Sequence, residues 1–172
     1  MNHLPLLARF NAWANDRLYG AVAALSDADY RRDRGAFFGS IHNTLNHLLV
    51  VDRLWIGRIE GIEQSIRALD QILYEDFDSL RAARRAEDGR IVRFVDGLDA
   101  DALCRVVSYR TMAGMPGETR ADLILVTLFN HQTHHRGQVH AMLTQAGVVP
   151  PPLDVLDYLD DRGAAAEAIS PG

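Results

Sequence analysis

Apolar residues recur every three to five positions along four separate stretches of this chain, a spacing that commits most of it to amphipathic helices in need of partners. The first stretch covers about residues 4–25, where Leu6, Phe10, Trp13, Leu18 and Val22 carry the stripe. The second covers about 40–60; Ser40 or Gly39 can open it, and Gly61 can close it as a C-cap. The third covers about 73–95, with Phe77, Leu80, Ile91, Phe94 and Val95 apolar, and ends at Gly97. The fourth covers about 119–146, where Thr119 followed by Asp122 resembles an N-terminal cap and Gly147 and Pro150 stop the helix. Four long helices on short connections predict an all-α, up-down four-helix bundle.

The texture changes between the third and fourth stretches. Cys104 to Arg110 is β-branched and roughly alternating, and Met115-Pro116-Gly117 makes a turn. A short extended arm or hairpin is therefore expected before the last long helix. After three consecutive prolines, residues 153–159 read as a short terminal helix. Residues 1–163 are expected to form a single bundle and 164–172 a flexible tail. At 172 residues the chain is long enough to bury a core without staples.

Composition narrows the function. The net charge is −5, which offers no basic face to release counterions, so nucleic acid is not an expected partner. The densest basic run, Arg81 to Arg85, is bracketed by Asp78, Glu87 and Asp88 and reads as a solvated helix face. The single cysteine, Cys104, excludes an internal disulfide and points to a reducing compartment; it reads as a small buried or half-buried hydrophobe. No stretch approaches the ~18 apolar residues of a membrane span, and the first residues lack the order of a signal peptide. A cytoplasmic protein with no membrane partner is the expectation.

Four of the seven histidines fall between His131 and His140. At 100° per residue, His135 lies about 40° from His131, one turn along the same face. That stripe runs on through Ile124, Leu128 and Met142, so it should point into the bundle. His140 lies about 180° from His131 and should face outward, while His134 sits about 60° to one side. Two imidazoles one turn apart on an inward face can seat a divalent metal; hydrogen-bonded histidines at the core edge are the plainer alternative.

A third ligand must come from another helix, and His47 is placed for it on a stripe of Thr44, Val51 and Leu54. His42 and Asp52 each lie about 140° from His47 and should not bind the same ion. Asp52 reads as a solvated charge, or as a partner of Arg53 or Arg136. His3 reads as surface. Three histidines without a carboxylate leave a coordination position open, the pattern of a catalytic rather than a structural site. Such an ion lowers the pKa of bound water or activates a bound thiol. In support, Gln138 can hydrogen-bond the water and Asn43, one turn before His47, can anchor a ring nitrogen. Trp13 and Trp55 read as packing in the core or at a mouth.

These residues resemble the DinB family of DNA-damage-inducible, four-helix bacterial proteins. The likeness rests on Phe10-Asn11-Ala12-Trp13-Ala14-Asn15, on His47 followed by Val51-Asp52-Arg53-Leu54-Trp55, on Asn130 to Gln138, and on Pro151-Pro152-Leu153-Asp154. The resemblance implies a divalent metal, often zinc, nickel or iron, on His47, His131 and His135, and it implies homodimers. The wider superfamily includes thiol-dependent S-transferases and a maleylpyruvate isomerase that uses a low-molecular-weight thiol; the family name does not imply DNA binding. Two functions follow as expectations. One is a metal-dependent enzyme, such as a thiol-dependent S-transferase or hydrolase, acting on a small-molecule substrate or thiol. The other is a non-catalytic, metal-stabilised binding or dimerisation module in a stress response. A solvent-reaching pocket beside the ion separates the first from the second.

Overall fold

Short polar side chains set most of the helix starts. In a computed structural model, which describes residues 3–163, Ser40 Oγ accepts the backbone N–H of Asn43 at 3.2 Å and opens α3, Ile41–Glu60. Asp76 accepts the N–H of Ser79 at 2.8 Å and opens α4, Phe77–Asp96. The third helix therefore begins later than residue 73, because the N–H groups of Leu73 and Tyr74 are taken instead by the side-chain oxygen of Asn46, at 2.9 and 3.0 Å. Pro5 sits in the first turn of α1, Leu4–Val22, where its missing donor costs nothing. Gly61 closes α3 at φ +73°, a backbone angle that suits glycine.

The other elements are short. Helix α2, Asp27–Arg31, follows α1, and α5, Ala100–Cys104, follows α4; the sequence stripes predicted neither. Strands β1, Val106–Arg110, and β2, Pro116–Arg120, form the expected hairpin, with Val107 opposite Thr119. Thr119 is thus a strand residue and not a helix cap. The last long helix, α6, Ala121–Gln145, starts without a capping side chain, on an N–H···O bond of 2.9 Å from Ala121 to Arg105. Helix α7, Val155–Asp161, opens on a capping box of Asp154 and Asp157. Cys104 ends α5 in an exposed position, which corrects the buried reading. The tail expected at 164–172 lies outside the described residues. No helix among the described residues is long and apolar enough to cross a membrane.

The chain is mostly helical, with one two-stranded sheet. Helices α1, α4, α3 and α6 pack in that order around a ring. Pairings along them give their directions. Arg9 meets Asp96 and Asp16 meets Arg85, so α1 and α4 are antiparallel. Asp52 meets Arg84 and Glu60 meets Arg90, so α3 and α4 run the same way. Strict alternation between successive helices therefore does not hold. Residues 61–76 carry the chain back along α3 instead of turning at its end, which brings Leu69 beside His47 and Tyr74 beside Asn46.

Two apolar clusters fill the ring. One gathers Leu18, Leu45, Leu48, Leu80 and Met142; the other gathers Ala8, Ile56, Ile91, Ile124 and Leu125. A polar layer drawn from all four long helices lies across them. Asp52 accepts from Arg84 and from Gln132, each at 2.6 Å, and Arg84 reaches Asp88 at 2.8 Å. Asn15 donates to Asp88 at 3.0 Å, and Arg136 donates to Asn11. Asp52 is 0% exposed, so the solvated reading is wrong. So are its expected partners, since the guanidinium comes from Arg84 rather than Arg53 or Arg136. The first half of α3 is covered on nearly every side, and a residue turned away from His47 still meets protein.

Candidate metal centre

Helix α6 presents two adjacent inward rows. Leu128, Gln132, Arg136 and Val139 fill the centre of the ring, while His131 and His135 sit at the margin of that face, toward α3. The histidine stripe therefore does not aim at the middle of the core as expected. His131 is half-buried, and His135 and His47 are buried. Residues 61–76 pass over this margin and complete the enclosure.

The three rings converge. Their ligand atoms all lie within 4.8 Å of one another. Ring centroids are 4.9 Å apart for His47 and His131, 4.7 Å for His47 and His135, and 4.4 Å for His131 and His135. The hydrogen bonds determine which nitrogens remain free. His47 Nδ1 donates to the Leu69 carbonyl at 2.8 Å, since a carbonyl can only accept, and its Nε2 is left as a lone pair. His135 Nδ1 donates to Gln138 Oε1 at 2.7 Å, while the Gln138 amide N–H donates to His134 Nε2 at 3.2 Å. His135 Nε2 is thus also free. His131 Nε2 lies 3.0 Å from His47 Nε2, a distance that needs a proton or a cation between the two nitrogens. His131 Nδ1 is buried and has no hydrogen-bond partner among the described residues.

The rings are held neutral. Burial pushes His131 down to about 3, reinforced by the neighbouring His135 and His47. Burial likewise takes His135 down to about 4, against the opposing bond to Gln138. His47 is also lowered by burial, against the pull of the Leu69 carbonyl. At neutral pH the cluster offers uncharged imidazole nitrogens, the donor type that suits zinc, nickel or iron. The residues present therefore fit a divalent ion.

A cavity of about 470 Å³ lies against this cluster, walled by His47 and His131 with Val51, Leu54, Trp55 and Tyr109. Among the remaining sequence candidates, Gln138 is at the site, but on a ring nitrogen rather than in reach of an open ligand position. Asn43 does not anchor a histidine: its amide donates to the Phe38 carbonyl at 3.0 Å. It acts one step removed, because the Phe38 ring stacks on His47 with centroids 3.9 Å apart. His42 bonds Tyr30 Oη at 3.1 Å, and His140 Nε2 bonds the Pro151 carbonyl at 3.1 Å, so neither joins the cluster. His134 and His3 are exposed. Trp13 packs on Phe10 and Tyr158, and Trp55 stands at the cavity wall. Sequence reasoning missed Phe38 and Leu69. A Phe-Phe-Gly run before a helix is a weak signal for the first, and a backbone carbonyl leaves none for the second.

Comparison with known proteins gives the family. The model of the DinB family matches residues 1–167. The chain belongs to the DinB family. Protein DinB of Bacillus subtilis (strain 168) is 28% identical over 160 residues, covering 89% of this chain and 91% of the relative. A DinB-like protein from Bacillus cereus ATCC 10987, known from its crystal structure, superposes with a TM-score of 0.64 at 17% identity; the match covers 83% of this chain and 91% of that one. That likeness establishes the DinB-like fold. The three-histidine cluster is read from this chain's own residues.

Proposed function

We propose that the protein binds one divalent ion on the Nε2 atoms of His47, His131 and His135 and acts as a metal-dependent enzyme, a thiol-dependent S-transferase or a hydrolase, on a small-molecule substrate. The observation that supports this best is the placement of His47 and His131 on the wall of a 470 Å³ cavity. A structural site has no need of such a space. When bound, the ion would supply Lewis acidity that makes a bound thiol or water more acidic.

The chain's own residues do the positioning. Leu69 and Gln138 fix the tautomers of His47 and His135, so their lone pairs face a common point without reorganisation. Phe38 stacks on His47 and limits ring rotation. Val51, Leu54 and Trp55 give the cavity an apolar wall that excludes water from a bound electrophile.

The test is the reactivity of an added thiol. The rate at which 2-mercaptoethanol is alkylated by a small electrophile, measured across pH with zinc-loaded protein and with chelated protein, should rise with loading and titrate at lower pH. A loaded protein that leaves the profile unchanged would instead indicate the non-catalytic, metal-stabilised module.

A further inference from the structure

Arg58 is a cation without a carboxylate. It lines the same cavity as His47 and His131, and no acidic side chain joins it there. Among the described residues it makes no ion pair; its one hydrogen bond runs from Nη2 to the Arg110 carbonyl, at 2.6 Å. The guanidinium is nonetheless held in place. Its central carbon lies 4.5 Å from the Trp55 ring centroid and 4.8 Å from that of Tyr109, one aromatic from α3 and one from the hairpin. Tyr109 can lie there because Gly117 opposite it has no side chain: a Cβ would come within 2.8 Å of the ring. Burial pulls the Arg58 pKa down, against the opposing influence of Tyr109.

Helical geometry relates this cation to the histidines. Arg58 is eleven residues after His47, so it returns to within about 20° of the same face, roughly 16 Å further along the axis. Side chains on a helix lean toward its N-terminus, which tilts Arg58 back over Trp55 and toward His47. Val51, Leu54 and Trp55 occupy the stripe between them. The cavity thus has a cluster of lone-pair nitrogens at one end, an apolar middle, and a fixed guanidinium toward the C-terminal end of α3.

We propose that the substrate or co-substrate of this site carries a carboxylate that pairs with Arg58, joined by an apolar segment to the group that sits at the three histidines. A guanidinium presents a planar fork that matches a carboxylate in two parallel hydrogen bonds. Arg58 is then a specificity determinant, and the proposal rests on the metal reading only for what occupies the other end.

Calorimetric titration of 6-mercaptohexanoate and 6-mercaptohexanol, with zinc-loaded and with chelated protein, separates the two ideas. The carboxylate should bind about tenfold more tightly than the alcohol in both forms. In Arg58→Met the preference should vanish while the affinity for the alcohol holds. Equal affinity of the two thiols for the wild type, no binding of either, or a preference that survives in Arg58→Met, would overturn the proposal. Should zinc add nothing to the binding of either thiol while the preference for the carboxylate persists, the metal reading fails and the Arg58 assignment stands.

Discussion

The molecule buries two polar clusters side by side, and they are built on opposite terms. In the layer of Asp52, Arg84, Asp88, Gln132 and Arg136, opposite charges meet: Arg84 spans both carboxylates, Gln132 donates to Asp52, and Asn11 and Asn15 donate to Asp88. In the cluster of His47, His131 and His135, like groups meet, with lone pairs aimed at one another and the outer nitrogens of two rings fixed by Leu69 and Gln138. The first cluster balances its charges within the chain, although Asp52 Oδ1 and Arg84 Nε make no hydrogen bond among the described residues. The second gathers uncharged nitrogen donors with no opposite charge among them. The difference between them is therefore one of charge: paired opposite charges are explained by holding four helices in register, and converging neutral donors are not.

That contrast predicts different failures. The largest effect should follow Asp52→Ala, which leaves the buried Arg84 short of one counter-charge: chemical denaturation should register a loss of about 3–5 kcal/mol, with zinc content unchanged. A smaller, pH-dependent effect belongs to Asp88, whose pKa burial raises to about 6 despite Arg84. A raised carboxyl contributes stability that is fully present below its unfolded pKa near 4 and is lost as pH rises through about 6. Asp88→Asn removes this term, so its stability relative to the wild type should climb between pH 4 and 6 and level off above. A relative stability that falls over that range would contradict the assignment. The smallest effect is at the rim of the second cluster. Gln138→Ala frees His135 Nδ1 and should weaken zinc binding about tenfold, with denaturation barely altered. A variant that unfolds as readily as Asp52→Ala would place Gln138 with the structural network instead.

Much of this was readable from residue spacing. The apolar stripes located the four long helices, and the change to alternation after Cys104 located the hairpin. The i, i+4 histidines of α6 and the central position of His47 on its stripe picked out the residues that meet. Spacing did not reveal that α3 and α4 are parallel. That depends on residues 61–76, which spacing does not place and which are held by bonds from the Leu73 and Tyr74 N–H groups to the Asn46 side-chain oxygen. Asp52 was misjudged because a helix wheel gives angle but not cover, and α3 is enclosed on faces that would be solvated in a simpler bundle. Arg58 was open to the same angular reasoning as His47, three turns away, but a lone arginine near a helix end gives no sign of a cavity until the hairpin is in place.

The central claim is that nitrogens from α3 and α6 share one ion, and metal content tests it most directly. Untagged protein purified after exposure to zinc, nickel and iron should carry one divalent ion per chain by elemental analysis. His47→Ala, on a different helix from the other two ligands, should lose it while remaining folded by circular dichroism. Wild-type protein without stoichiometric metal, or a folded His47→Ala that keeps its ion, would contradict the account.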